Sequence, residues 1–270
     1  MLIVPALTTL LAVLNEGYAW GATSPLLLAC GALAVILLML LIRCEARADV
    51  PLIELKLFGQ RAFTAGNLAG LLSYATLFGL FFLMPFILVR AYRDSILAAG
   101  LRLCIVPLMI GVVAPIGGAL YDKRGARLPT VLGMVICVGA LSMLGAVLED
   151  ARDSLPAVML ALAVFGIGQG LFVSPNNSAI VAAAPANLTG EAGGLLNVAR
   201  SLGVSLGVAA ASSLLAWRLA ALTGSGHNTL HANSRQLLSA GQDVIALLGS
   251  FAAIAGAISL AQTTFSTRKA

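Results

Sequence analysis

The chain has 270 residues, of which 60% are hydrophobic and only 10% are charged, and its formal net charge is +5. A soluble domain of this length carries roughly 25% charged residues, so these few polar side chains could not cover a globular surface. The composition therefore predicts a polytopic membrane protein. The basic residues cluster at the ends of apolar runs, where anionic lipid and topology explain them, so we expect no nucleic-acid partner.

Apolar segments recur along the whole chain, at residues 1–14, 25–43, 63–90, 96–120, 128–148, 155–174, 191–217 and 243–262. Segments such as 25–42 are apolar on every face, which favours helices over the alternating strands of a barrel. Seven segments are long enough to cross a bilayer. The first reaches only about 21 Å against about 30 Å of hydrocarbon. We therefore expect it to be the end of a helix that begins upstream of Met1.

The stretch 44–62 separates the first two segments from the other six. It mixes Asp49, Glu54, Lys56 and Arg61 with apolar residues, which is typical of a linker lying on a membrane surface. Lys and Arg are more numerous on the side that holds this linker, the loop 121–127 and the C-terminus, where nine stand against six on the other side. This bias predicts a cytoplasmic C-terminus, with residues 263–270 as a cytoplasmic tail.

A short charged loop joins the fourth and fifth segments, in the run Gly118-Ala-Leu-Tyr-Asp-Lys-Arg-Gly-Ala-Arg127. Taken alone it could be an ordinary basic cytoplasmic turn. It resembles the signature loop of the major facilitator superfamily, G-x-L-x-D-[RK]-x-G-x-[RK]. The residues that match are Gly118, Leu120, Asp122, Lys123, Gly125 and Arg127; Ala126 departs from the base often found there. The resemblance implies that Asp122 latches onto another helix, and we expect that helix to begin near Gly190–Glu191.

Further motifs are similar to the fourteen-span drug:proton antiporters of the EmrB/QacA type. They are Trp20-Gly-x-x-Ser-Pro25, Pro51-Leu-Ile-Glu-Leu-Lys-Leu-Phe58, Ser174-Pro-Asn-Asn177 and Gly194-Leu-Leu-Asn-Val-Ala-Arg200. The resemblance covers the second part of such a transporter. It implies an all-α membrane protein in which 1–43 holds part of span seven and span eight. Residues 63–262 would then form a six-helix C-terminal half of a major facilitator fold.

Arg200 is the most costly residue to place in lipid. If its span begins near Gly190, it lies roughly 15 Å deep, where a lone charge costs at least about 2.5 kcal/mol. We therefore expect Arg200 to face the bundle interior or a wet cavity, with Asn197, Asn176 and Asn177 as candidate partners. Both a substrate path or gate and an interhelical polar clamp fit this position. Gln169 and Asn67, also within apolar segments, could line a cavity or bond a neighbouring helix.

All eleven acids fall in loops or at segment ends, so the chain offers no obvious proton carrier of its own. His227 and His231 have the spacing of metal ligands, but no Cys or acid accompanies them and a solvated loop is favoured. We predict no enzyme, no catalytic residue, no cofactor and no metal site. The resemblance implies part of a proton-coupled exporter of small amphipathic compounds, with the proton coupled through the half that this chain does not contain. Such a part would need an N-terminal half, or a second copy acting in its place, to enclose a substrate. The alternative is a non-transporting remnant or a scaffold that binds other helices.

Overall fold

A computed structural model describes residues 5, 8–9, 25–45, 54–148, 154–223 and 233–261, and the regular structure in these ranges is entirely helical. The α-helices are α1 (Pro25–Glu45), α2 (Arg61–Phe86), α3 (Ile96–Leu103), α4 (Ile105–Arg124), α5 (Arg127–Val147), α6 (Leu155–Ala183), α7 (Thr189–Thr223) and α8 (Ser234–Ala261). Short 3-10 turns occupy Leu55–Gly59 and Ala186–Leu188, and one π-helical turn occupies Ile87–Ala91.

Six helical units in the described ranges are long and apolar enough to cross a membrane. They are Arg61–Ala91, Ile96–Arg124, Arg127–Val147, Leu155–Ala183, Ala186–Thr223 and Ser234–Ala261. They coincide with the last six predicted segments and confirm the all-α membrane fold. Helix α1 covers the predicted segment 25–43. Most of the segment 1–14, the motif around Trp20, linker residues 46–53, both histidines and the tail 263–270 lie outside the described residues.

Several helices extend further than the apolar runs predict. Helix α6 continues to Ala183 rather than ending near 174, and α8 begins at Ser234 rather than near 243. An apolar run shows only the part of a helix that lies in the hydrocarbon of the bilayer. The helix itself can continue into the headgroup region through polar residues such as Asn, Ser and Gln. Asp243, the first residue of the predicted apolar segment 243–262, therefore lies nine residues, about 13.5 Å, inside α8.

The predicted segment 96–120 is not one continuous helix, because Cys104 separates α3 from α4. The cause is Pro107. Its ring nitrogen has no hydrogen to donate to the carbonyl of Leu103 one turn earlier, and its ring crowds that carbonyl. The π-helical turn Ile87–Ala91 likewise follows Pro85, the one proline inside α2. Each of the first two of these six spans therefore departs from regular α-helix close to a proline.

The six spans pack in two layers. Helices α4, α6, α2 and α7 lie side by side in that order and form the front layer, while α5 and α8 form the rear layer. Helix α5 packs mainly against α6 and α8, and α8 also packs against α2. The main hydrophobic core lies between the layers and includes Leu80, Met84, Leu141, Phe165 and Leu248. The side of the front layer that faces away from the rear layer has no described element against it, and we call it the open face.

Glycines allow the front helices to approach closely. A Cβ at Gly203 would lie 2.3 Å from the carbonyl oxygen of Leu71, and one at Gly207 would lie 2.0 Å from that of Ala75. The Gly203-x-x-x-Gly207 ridge is therefore the contact between α7 and α2, as small-residue ridges are in membranes. The Gly66-x-x-x-Gly70 ridge faces α6 instead, where a Cβ at Gly66 would lie 2.7 Å from Ile180.

The described end of the linker packs against the bundle. Leu57 and Phe63 are fully buried in a small cluster with Ile180 and Ala192, at the ends of α6 and α7. The backbone N–H of Glu54 donates to a carboxylate oxygen of Glu191 at 3.1 Å. The carboxylate of Glu54 in turn pairs with the Lys56 ammonium at 3.1 Å. This part of the linker is thus fixed to the first turn of α7. The prediction of a linker lying on the membrane surface did not include this contact.

Candidate functional site

Three front-layer helices meet around one small polar cavity. Its lining residues are Asn67, Gly70, Leu71 and Tyr74 on α2, Asn176, Asn177 and Ile180 on α6, and Leu196, Ala199 and Arg200 on α7. The cavity measures about 10 Å³, which is the space of one water molecule. Four of the six residues predicted for a substrate path or gate are therefore gathered at one place, on the layer that carries the open face.

Asn176 is held in place by the backbone of α2. It is 1% exposed, and its Nδ2 donates to the carbonyl oxygen of Gly66 at 3.1 Å. The absence of a side chain at Gly70 makes room for it, since a Cβ there would lie 3.0 Å from Nδ2. The Gly66-x-x-x-Gly70 ridge thus positions this amide.

Asn67 presents an unused acceptor. Its Nδ2 donates to the carbonyl oxygen of Phe63 at 2.9 Å, one turn earlier in α2. Its Oδ1 is buried and has no hydrogen-bond partner among the described residues. A buried acceptor left in this way costs about 1–3 kcal/mol, and the neighbouring cavity has the volume for a water molecule that would satisfy it.

Arg200 contacts an aromatic ring rather than an acid. Its guanidinium carbon lies 4.9 Å from the centre of the Tyr74 ring, within the range of cation–π attraction. Tyr74 is buried, while Arg200 is exposed. No ion pair joins Arg200 to any residue in the described ranges. Of the two expected positions, the bundle interior and a cavity, Arg200 takes one at the exposed edge of a cavity, where its donors stay available.

Gln169 and Asn197 do not line the cavity. Gln169 is fully buried and bonds α2: the Ser73 hydroxyl donates to its Oε1 at 2.8 Å, and its Nε2 donates to the Ser73 carbonyl at 3.4 Å. This geometry is that of an interhelical link. Asn197 is exposed and is absent from the cavity lining, although it lies only three residues before Arg200.

Sequence reasoning missed Tyr74 and Ser73. Tyr74 follows Asn67 by seven residues, so two helical turns place it on the same face. Helical spacing from Asn67 was thus the signal that could have identified it. Ser73 offered no comparable signal, because a serine in an apolar run usually bonds its own helix.

The signature loop adopts the predicted turn. Gly125 has φ +73°, in the left-handed region, and its N–H donates to the carbonyl of Tyr121 at 2.7 Å. Asp122, Lys123 and Gly125 are exposed, as is Arg127, the first residue of α5. The close helix approach is at Gly117, where a Cβ would lie 3.1 Å from the Gly170 carbonyl oxygen, whereas a Cβ at Gly118 would lie 3.7 Å from the Ser174 hydroxyl. Leu120 is half-buried.

The expected contact of Asp122 with the start of α7 is not formed in the described part of the chain. Asp122 has no hydrogen bond or ion pair there, and the Glu191 carboxylate accepts from Glu54 instead. An anion in the last turn of a helix is unfavourably placed with respect to the helix dipole. Asp122 is therefore accessible to a partner outside α4, and a hydrogen-bond donor or a positive charge there would offset its unfavourable position at the end of the helix.

Two ion pairs stand apart from the cavity. Arg218 on α7 pairs with Asp243 on α8, and the Nε of Arg102 lies 2.8 Å from the carboxylate of Asp94. These pairs compensate both acids, so neither is a free charge near the cavity. Helices α2 and α6 contain no acid, and α7 contains only Glu191.

Comparison with known proteins gives a consistent result. A family model described as Major Facilitator Superfamily matches residues 1–208. The riboflavin transporter RibZ of Clostridioides difficile is 36% identical over 189 residues, which are 70% of this chain and 41% of that protein. The drug efflux pump JefA of Mycobacterium tuberculosis is 30% identical over 207 residues, 75% of this chain and 39% of that protein.

The quinolone resistance protein NorB of Staphylococcus aureus is 27% identical over 216 residues, covering 80% of this chain and 46% of that protein. The chain thus spans about two fifths of the length of the curated relatives it matches. Its helices, its signature loop and the family match all lead to one assignment: the chain belongs to the major facilitator superfamily of membrane transport proteins.

Proposed function

We propose that this chain forms the C-terminal part of a secondary active transporter that exports small amphipathic organic compounds. The observation that carries the proposal is the polar cavity formed by Asn67, Asn176, Asn177 and Arg200. Transporters of this architecture bind substrate between two halves near the bilayer midplane. Polar and charged side chains within membrane spans are costly, and for that reason they often mark a substrate pathway.

The proposed arrangement follows the fourteen-span drug:proton antiporters. Residues 1–43 would supply part of span seven and span eight, and 44–62 a cytoplasmic linker. Residues 63–262 would form the six-span half and 263–270 a cytoplasmic tail. An N-terminal half, or a second copy in its place, would cover the open face. Proton coupling would come through that half, because helices α2, α6 and α7 offer no acid beside the cavity. The protein would reside in the cell membrane.

The substrate class is supported by the relatives. Their names mention riboflavin, quinolones and drugs, and riboflavin and quinolones are compact heteroaromatic molecules with polar groups. The side chains at the cavity are suited to such ligands, because asparagine amides both donate and accept hydrogen bonds and a guanidinium stacks on aromatic rings.

Efflux measured with and without a complementary half tests the proposal. The chain would be expressed alone and together with the N-terminal half of a relative, and export of a fluorescent dye would be followed in energised cells and after addition of a protonophore. We expect export only from the pair, and its loss with the proton gradient. Export by the chain alone as a monomer, or none from a pair that assembles, would contradict the proposal. The latter outcome would favour a scaffold that only binds helices.

A further inference from the structure

A second cavity lies at the charged end of the bundle, away from the site described above. Arg124, at the end of α4, and Arg127, at the start of α5, line it together with Leu128, Val131 and Leu132 of α5 and Leu260 of α8. Its volume is about 360 Å³. Five of its six lining residues belong to the rear-layer helices α5 and α8.

The groove has charge at one end and apolar surface at the other. The apolar lining of α5 starts at Leu128, next to Arg127, and extends to Leu132, about 7.5 Å further along the helix than the arginine. Leu132 is 42% exposed and Leu260 is 49% exposed. Lys123, Arg124 and Arg127 provide three positive charges in the loop against one negative charge from Asp122. This order, cations at the helix ends and leucines deeper, matches a molecule with an anionic head and hydrocarbon tails.

We propose that this groove is a binding site for an anionic phospholipid, with the phosphate at Arg124 and Arg127 and an acyl chain along Leu128, Val131, Leu132 and Leu260. Basic pockets between membrane helices bind anionic headgroups in this way. A guanidinium can donate two parallel hydrogen bonds to a phosphate. The chain's own tail is a poor occupant, because Arg268 and Lys269 would add like charge to the groove.

Lipid quenching of a local fluorescent reporter tests the proposal. The reporter chain would carry Leu132→Trp in a background of Trp20→Phe and Trp217→Phe, so that its only indole lies in the groove. The purified chain would be reconstituted with brominated phosphatidylglycerol or brominated phosphatidylcholine carrying the same tails. We expect phosphatidylglycerol to quench the introduced indole at a mole fraction about 30-fold lower, since each arginine near the surface contributes about fivefold. Arg124→Gln with Arg127→Gln should make the two lipids equal.

Two further variants show whether the lipid preference depends on the positive charge at the groove or on a change in the fold. Arg124→Lys with Arg127→Lys should retain most of the preference, because the charge persists. Arg235→Gln, which removes an exposed cation at the start of α8, should leave it unchanged. Equal quenching by both lipids in the reporter chain, or a preference that survives the double Gln variant, would overturn the proposal. Absence of quenching by either lipid would also overturn it, because a protein surface would then cover the groove. None of these outcomes depends on transport.

Discussion

At the scale of single residues, the most informative side chain is an arginine that has no acid paired with it among the described residues. Arg200 lies eleven residues after the start of α7, about 16 Å along its axis. Because α7 is about 52 Å long, it exceeds the hydrocarbon, and the midpoint between Glu191 and Arg218 falls near residue 205. Arg200 is thus about 7 Å from that midpoint, still within the hydrocarbon. Tyr74 supports the guanidinium without neutralising it.

If the cavity binds substrate as proposed, a cation with no acid paired to it among the described residues should favour anionic substrates. In the transporting assembly, we expect Arg200→Gln to lower export of fluorescein, an anion, about tenfold, since hydrogen bonds to charged groups contribute about 1.5–3 kcal/mol. Export of rhodamine 123, a cation with the same ring system, should be unchanged or faster. Arg200→Lys should be intermediate and Arg235→Gln silent. Equal losses for both dyes would instead indicate a structural clamp.

Asp122 supports a second prediction at this scale. Its carboxylate has no partner among the described residues and lies in the last turn of α4. Any contribution of Asp122 to export must therefore come from a contact formed in the proposed assembly. We expect Asp122→Asn to reduce the export rate several-fold, since contacts with a helix N-terminus contribute about 0.3–1 kcal/mol. Membrane insertion and yield, measured by detergent-extracted protein, should stay unchanged. A fall in yield would show that the residue is purely structural.

At the scale of elements, the sequence predicts which segments form helices but not which faces of those helices pack together. Long apolar runs predict spans because lipid leaves the backbone no other solution. The break at Cys104 follows from Pro107 and could have been predicted from the missing hydrogen-bond donor. The bond between Gln169 and Ser73 could not, because it depends on which faces of α2 and α6 meet. For the same reason the sequence identified the three asparagines and Arg200 only as candidates and missed Tyr74.

The contact between α2 and α7 gives a prediction with a control on the same helix. A Cβ at Gly207 would lie 2.0 Å from the Ala75 carbonyl oxygen, whereas one at Gly194 would meet nothing within 4 Å. Gly207→Ala must push the helices apart, and we expect a loss of about 1–3 kcal/mol in unfolding free energy. Gly194→Ala should stabilise by up to about 1 kcal/mol through helix propensity. Unfolding in mixed detergent micelles measures both, and similar values for the two would show that the helices are not in close contact.

At the scale of the whole molecule, the helices of the front layer are unequally covered. The first span after the linker is the most enclosed, whereas the span Ile96–Arg124 is the least buried of the six described. Helix α4 uses Val106, Ile110 and Val113 against α6. Its remaining surface divides in two: Leu108, Val112 and Ile116 are bulky and exposed, while Gly111, Ala114 and Gly118 form a stripe of small residues. In lipid, small residues mark where another helix approaches, and bulky apolar ones suit acyl chains.

If the proposed N-terminal half docks on this layer, neighbouring positions on α4 should respond differently. A Cβ at Gly111 meets nothing within 4 Å, so we expect Gly111→Leu to leave the fold of this chain alone intact. In the assembly it should obstruct the partner helix and lower co-purification with the N-terminal half about tenfold, as overpacking of about 1–3 kcal/mol implies. Val112→Leu, one residue away and 57% exposed toward the bulky side, should leave the yield of complex unchanged. Thermal unfolding of each variant alone checks that the chain still folds. If Val112→Leu were the damaging change, the partner would dock on the bulky face, and the stripe of small residues would face lipid.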